Sequence, residues 1–202
     1  MPPGLIYRHI CIYRFAMNLL YGFDYKKRFR LIFPFIKGLS VNELCFGDLY
    51  IAHYCKKNNI KWIGYDINKK FIERAINKNF DAVFCNLSEQ QTLPKSDTCI
   101  ILGSLYHFNQ NLEQIYELMF SSSKRIIISE PIKNISAKNN LLGRIASTVS
   151  DTGNGAETFR YDEPRLIKSF EKPAKKYNFT IYKKFYFKKD IIIILDKCPS
   201  PK

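Results

Sequence analysis

Between Val41 and Asp66 the chain reads VNELCFGDLYIAHYCKKNNIKWIGYD. Within that stretch Gly47 and Asp66 have the types and the spacing to hold a nucleoside. Gly47 and Asp48 make a tight turn between a strand-like run, Val41 to Phe46, and a helical stretch, Leu49 to Lys57. A helix that starts at such a turn offers N–H groups with no partner inside the helix. Glycine there lets backbone come close to a ligand. A second strand-like run, Lys61 to Tyr65, ends on Asp66. An acid about 20 residues beyond such a strand–turn can take both hydroxyls of a ribose. Strand, turn, helix and strand together have the length of one mononucleotide-binding half.

The rest of the chain alternates helical and strand-like stretches, as an α/β fold does. Residues 5 to 20 carry Ile6, Ile10, Tyr13, Met17 and Leu20 at steps of four and three, a helical stripe. That helix either packs on the domain as a cap or lies on a membrane face as a basic amphipathic helix. Gly22, Phe23 and Asp24 break it, and Lys26 to Ile36 reads as a second helix. Residues 1–37 are thus an N-terminal helical cap, ahead of a domain over 38–197. Asn68 caps a helix to about Lys78, with Phe71, Ile72, Ala75 and Ile76 inward. Asp81 to Cys85, Asp97 to Gly103 and Lys124 to Ser129 are the third, fourth and fifth strands. A helix from Asn109 or Asn111 turns Leu112, Ile115, Tyr116, Met119 and Phe120 inward. Asp162 caps a helix from Glu163 to about Tyr177, in which Pro173 predicts a break or kink. Phe179 to Tyr186 and Asp190 to Leu195 lie close enough for a hairpin around Lys188 and Lys189.

Between the fifth strand and that helix, residues 133–162 form an insertion on the substrate side. It reads as a short helix over Leu141 to Val149 and then a loop, Ser150 to Tyr161. Gly153 and Gly155 free its backbone, Phe159 and Tyr161 are apolar anchors, and Arg160 is a bidentate donor for a carboxylate or phosphate. The insertion follows the carboxyl end of a strand, the edge where open α/β sheets bind ligands. We expect a lid there that excludes water.

Composition bounds the partners. The chain has 202 residues, 46% apolar and 25% charged, which suits one globular domain. Its net charge of +14 points to anionic partners: nucleic acid, an anionic membrane face or a phosphorylated molecule. The lysines are scattered without a long run, which is also the pattern of a solvated surface. Cys11, Cys45, Cys55, Cys85, Cys99 and Cys198 include no C-x-x-C pair, and His9, His53 and His107 frame no metal site. Cys45, Cys85 and Cys99 fall in strand-like runs and read as reduced core thiols of a cytoplasmic protein. No apolar run approaches a membrane span, and Arg8 and Arg14 argue against a signal peptide.

E-L-C-F-G-D followed by W-I-G-Y-D-I-N resembles the first two motifs of class I S-adenosylmethionine-dependent methyltransferases. The order of elements over about residues 38–196 is similar to theirs. Where the family usually has three glycines this chain has Cys45, Gly47 and Leu49. The resemblance implies a Rossmann-like, doubly wound seven-stranded sheet, mostly parallel with an antiparallel C-terminal strand. It implies S-adenosylmethionine as cofactor: Glu43 anchoring its ammonium, Gly47 and Asp48 under its methionine part, Asp66 on the ribose and Asn86 on the adenine amine. Ser104 to Phe108 is similar to the segment beside the transferred methyl. His107 there can take a proton from an oxygen or nitrogen nucleophile, and Tyr106 and Glu130 are further catalytic candidates. Arg160 and Tyr161 are the expected substrate contacts. The acceptor implied is a small, lipid-linked or sugar-linked molecule. Two other readings stand beside it: an RNA-modifying methyltransferase, supported by charge alone, and a non-catalytic binding module, supported by the missing glycines.

Overall fold

The sheet is built outward from β1, Ser40–Leu44. In the computed structural model, which describes residues 10–132 and 160–199, β1 pairs in parallel with β2, Lys61–Asp66, on one side. On the other side it pairs in parallel with β4, Ser96–Leu102. Beyond β2 lies β3, Asp81–Phe84, and beyond β4 lies β5, Ser123–Pro131, both parallel. β7, Asp190–Lys197, inserts antiparallel beside β5, and β6, Phe179–Phe187, forms a hairpin with it at the edge. The order is β3-β2-β1-β4-β5-β7-β6. The chain reverses direction across the sheet between β1 and β4, which opens a crevice at their carboxyl ends.

The central strands are apolar runs because both faces are covered. Ile126 and Ile128 of β5 join one core with Ile191, Ile193 and Leu195 of β7. Their alternates Ile127, Ile192 and Ile194 join the other. Full burial of each such side chain is worth roughly 1.5–3 kcal/mol. Helices α5, Leu112–Ser122, and α6, Glu163–Lys176, cover the first face. The second face is covered by α2, Tyr25–Arg30, α3, Tyr50–Lys57, and α4, Lys69–Ile76. Helix α1, Ile10–Leu20, lies against this second core through Ile10, Tyr13, Met17 and Leu20, the stripe visible in the sequence.

Three expectations are corrected. The helix expected over Lys26 to Ile36 is two pieces, α2 and a 3-10 turn at Phe33–Phe35. Pro34 lacks an N–H and restricts the residue before it, so the α-helix stops short. Ile76 is 54% exposed, because α4 turns only Phe71, Ile72 and Ala75 to the sheet. Pro173 does not break α6, which runs on to Lys176. It sits in the last turn, where one missing hydrogen bond is tolerated, and its ring is buried. The short helix over Leu141 to Val149 and the loop from Ser150 lie outside the described residues, apart from Arg160 and Tyr161.

Candidate functional site

The glycine turn is tied to the end of β2. Gly47 takes a left-handed φ of 53° and donates its N–H to Asp66 Oδ2 at 3.3 Å. Asn68 N donates to Asp66 Oδ1 at 2.8 Å. Burial pushes the Asp66 carboxyl up to about 6, against the pull of these N–H groups. Cys45 also has a φ of 53°, so the backbone keeps a glycine-like conformation with a thiol in place of glycine. Leu49 has a φ of −98°, which any residue adopts, and its side chain fills the core. The turn therefore needs left-handed backbone at Cys45 and Gly47 but not at Leu49.

Glu43 is buried one strand in from the turn and accepts from Trp62 Nε1 at 2.8 Å. Its register partner is Gly64. A Cβ at Gly64 would come within 2.2 Å of the Trp62 ring, so glycine there leaves the indole room to reach the acid. Burial holds the Glu43 carboxyl well above the ordinary range.

Helix α1 roofs the turn. Arg14 donates from Nε to Asp48 Oδ2 at 2.7 Å and from Nη2 to Oδ1 at 2.8 Å. Arg74 of α4 reaches the same carboxylate at 3.2 Å, and Leu49 N donates to it at 2.7 Å. Asp48 is thus a fully buried anchor shared by α1, α3 and α4. A Cβ at Gly47 would lie 2.7 Å from the Tyr13 hydroxyl. The Tyr13 ring in turn meets Phe71 edge-on at 5.3 Å.

Across the crevice, Glu130 closes β5 and accepts from Tyr106 N and Leu105 N, both at 3.2 Å. It thereby fixes the 3-10 turn Leu105–Phe108 that follows β4. Burial, with Asp190 nearby, pushes Glu130 up to about 8. The Tyr106 and His107 rings lie 4.0 Å apart, and Arg160 stacks over Tyr106 at 3.9 Å. Burial and then the Arg160 charge bring His107 down to about 4. Tyr161, buried, bridges to Ile132 beyond the end of β5.

A second buried anchor joins the N-terminal helices to this side. Arg28 Nε meets Asp190 Oδ2 at 2.6 Å, and Tyr21 Oη lies 3.0 Å from each Asp190 oxygen. Ser129 Oγ donates to Asp190 at 2.9 Å. Gly103 has a φ of 67°, and a Cβ there would meet Arg28 Nη2 at 2.7 Å.

Gly47 and Asp66 lie at the carboxyl ends of β1 and β2, and Tyr106, His107, Glu130 and Arg160 lie beyond those of β4 and β5; Asp48, expected under the cofactor, is fully buried and engaged by Arg14 and Arg74 instead. Ser104 is half-buried at the end of β4. Asn86 is more peripheral; its amide donates to Glu89 Oε1 at 2.7 Å and its oxygen accepts from Ser88 N at 3.2 Å. Tyr13, Arg14, Tyr21 and Arg28 were not among the expected site residues. Arg28 had no signal, because its partner Asp190 lies in the last strand.

Neither a protein-family model nor a curated protein sequence matches the chain. Solved structures do. A magnesium protoporphyrin IX methyltransferase from Synechocystis PCC 6803 with bound SAH superposes with a TM-score of 0.64 at 16% identity, covering 87% of this chain and 84% of that one. A SAM-dependent methyltransferase from Archaeoglobus fulgidus gives 0.62 at 18%, over 85% and 92% of the two chains. An rRNA methylase from Escherichia coli gives 0.59 at 15%, over 96% and 69%. The strand order, the crevice at the β1–β4 reversal and these likenesses agree: the chain has the fold of the class I S-adenosylmethionine-dependent methyltransferases.

Proposed function

We propose that this protein transfers a methyl group from S-adenosylmethionine to an oxygen or nitrogen of a small, lipid-linked or sugar-linked acceptor. The observation that carries the reading is Asp66, held at the crevice by the turn it faces. Its oxygens accept from Gly47 N and Asn68 N, and the Ile67 N–H also favours its charged form. An ionised carboxylate has about four acceptor sites, which leaves capacity for a ribose hydroxyl. With its carboxyl at about 6, Asp66 is ionised at neutral pH. Ile67, 59% exposed beside it, offers an apolar face to the base. The bound cofactor supplies an electrophilic methyl on a sulfonium leaving group.

The protein's share is then position more than proton transfer. Glu130, near 8, is mostly protonated at neutral pH and holds the backbone of Leu105 and Tyr106 in place. His107 stays neutral above about 4, so its imidazole accepts a hydrogen bond from an acceptor hydroxyl or amine without competing for protons in bulk water. Arg160, stacked on Tyr106, faces the acceptor side and supports an anionic group there.

Calorimetry with S-adenosylhomocysteine tests the reading. The wild type is expected to bind with micromolar affinity, roughly −8 kcal/mol. Asp66→Ala should weaken that by roughly 1.5–3 kcal/mol while far-UV circular dichroism stays unchanged. Absence of binding at millimolar cofactor or product would overturn it.

A further inference from the structure

Helix α1 presents apolar side chains to the outside. Its exposed positions are Cys11, Ile12, Phe15 and Leu19. Ile12, Phe15 and Leu19 stand three and four residues apart, so they form one stripe. Its Arg14 and Asn18 are engaged elsewhere: Arg14 by Asp48, and Asn18 as a donor to Arg14 O at 2.9 Å. A surface helix ordinarily turns its charges outward. Neighbouring α2 does so, with Lys26, Lys27 and Arg30 outward and Tyr25, Arg28 and Phe29 inward.

The turn that ends α1 adds to the stripe. Gly22 N donates to Leu19 O at 3.3 Å and Phe23 N to Asn18 O at 2.7 Å, the paired bonds of a glycine-closed helix end. The apolar residue after such a glycine often packs back on the last turn. Phe23 instead takes a φ of 64°, rare for a bulky residue, and is 76% exposed, with Phe15 at 65%.

Placement and charge say what covers this face. Helix α1 crosses the carboxyl edge of the sheet: Tyr13 and Arg14 lie over the turn after β1, and Tyr21 reaches Asp190, the register partner of Pro131 at the end of β5. A helix is about 10 Å thick, so a surface on its outer side lies close to the edge where the crevice opens. From Ile10 to Ile36 the chain has five cations and one acid, Asp24. Asp24 is paired with Lys188, and Arg14 and Arg28 are matched by Asp48 and Asp190. Lys26, Lys27 and Arg30 have no acidic partner among the described residues. Lys26 lies over the Tyr50 ring at 5.9 Å, the ring that Arg14 faces at 5.5 Å, which sets it beside α1. An apolar stripe edged by unpaired cations complements a surface with an apolar interior and anionic headgroups. A second copy of the chain would instead bring these cations towards each other across a two-fold axis.

We propose that the outer face of α1 docks on an anionic lipid bilayer. Ile12, Phe15, Leu19 and Phe23 enter the boundary between headgroups and acyl chains, and Lys26, Lys27 and Arg30 meet the headgroup phosphates. The helix lies on the bilayer, because α1 has 11 residues and no helix among the described residues is long and apolar enough to cross one. The docking does not depend on the methyl-transfer reading. Its consequence does: with that reading, the acceptor is the lipid-linked kind, taken from the bilayer surface.

The test is sedimentation of the intact protein with vesicles of phosphatidylcholine alone, or of equal parts phosphatidylcholine and phosphatidylglycerol. Binding to the mixed vesicles is expected, weakening as salt rises. Phe15→Gln combined with Phe23→Asn should reduce it at least about tenfold, as two rings then leave the interface. Glutamine suits a helix and asparagine tolerates left-handed backbone, so this variant should keep the wild-type circular dichroism. Lys26→Gln combined with Lys27→Gln should also weaken binding, whereas Tyr182→Thr, which removes an exposed ring of β6, should not. No binding of the wild type to mixed vesicles, or binding that survives loss of both phenylalanines, overturns the proposal. So does a dimer in lipid-free buffer that Phe15→Gln disperses, which would give the face to a second copy. Calorimetry with S-adenosylhomocysteine is independent of these outcomes. If vesicles bind and S-adenosylhomocysteine does not, the methyl-transfer reading falls and the docking face stands.

Discussion

Arg14 lays its guanidinium across both oxygens of Asp48, 34 residues away, at 2.7 and 2.8 Å. The arginine side chain is 40% exposed, whereas the aspartate is fully buried beneath α1. One ion pair thus fastens the N-terminal helix to the turn that shapes the crevice. A double-mutant cycle of Arg14→Met and Asp48→Asn should give a coupling energy of about 1–2 kcal/mol, less than a fully buried pair because water reaches Arg14. Arg74 and Leu49 N still satisfy Asp48 when Arg14 is gone, so Arg14→Met alone should fold. Denaturant unfolding measures the four stabilities; a coupling indistinguishable from zero would mean that α1 is held by its apolar stripe alone.

Glu130 sets a pH dependence with a definite sign. Its folded-state pKa, about 8, lies above the ordinary 4.5, so the folded protein binds that proton more tightly than the unfolded chain does. Its contribution to stability therefore falls as pH rises from about 4.5 to about 8, and is flat above that. Other groups titrate alike in wild type and Glu130→Gln, so their difference isolates this one. The variant should be less stable near pH 5, where it lacks one good acceptor for Leu105 N or Tyr106 N. That deficit should shrink towards pH 8, by up to roughly 1.4 kcal/mol per unit. A constant difference across the range would show that Glu130 titrates normally.

Cys45 adopts backbone that costs an ordinary residue about 1 kcal/mol relative to glycine. Cys45→Ala keeps that cost, while Cys45→Gly releases it; both lose the thiol. The glycine variant should therefore exceed the alanine variant in stability by about 1 kcal/mol, read as a shift in denaturant midpoint at constant slope. The reverse order would place the strain elsewhere in the turn.

Trp62 is the sole tryptophan and the donor that satisfies buried Glu43. Trp62→Phe removes the N–H and should cost about 1–3 kcal/mol, the scale for an unsatisfied buried acceptor, on top of the lost ring volume. Adding Glu43→Leu to Trp62→Phe should recover part of that loss. Thermal unfolding of the single and double variants decides it, and no recovery would mean that the hydrogen bond is not what makes Trp62 necessary.

The strands and most helices were legible in the sequence because their apolar positions keep a regular period. Ile126 to Ile128 and Ile191 to Leu195 are unbroken because two layers of helices cover them. The misjudged ends have local causes: Pro34 cuts one helix short, and Pro173 sits too near the end of another to break it. The turn with Gly47 and Asp66 was legible because its partners lie within one strand–helix–strand unit. Asp190 and Arg28 were not, because they meet only through the sheet's pairing order. No spacing rule links Tyr21 to an aspartate in the last strand.

That last contact bears on how the protein is made. Tyr21 and Asp190 are separated by 169 residues, and Arg28 shares the same carboxylate. The parallel strands β1 to β5 can assemble as the chain emerges from the ribosome, each beside one already present. The carboxylate that anchors Tyr21 and Arg28 arrives only with β7, which must first slot between β5 and β6. Helices α1 and α2, made before every described strand, are thus secured only once β7 is in place, and until then the arginine and aromatic rings that will be buried remain in water, open to chaperones and proteases. Acquisition of the finished crevice waits on the synthesis of β7.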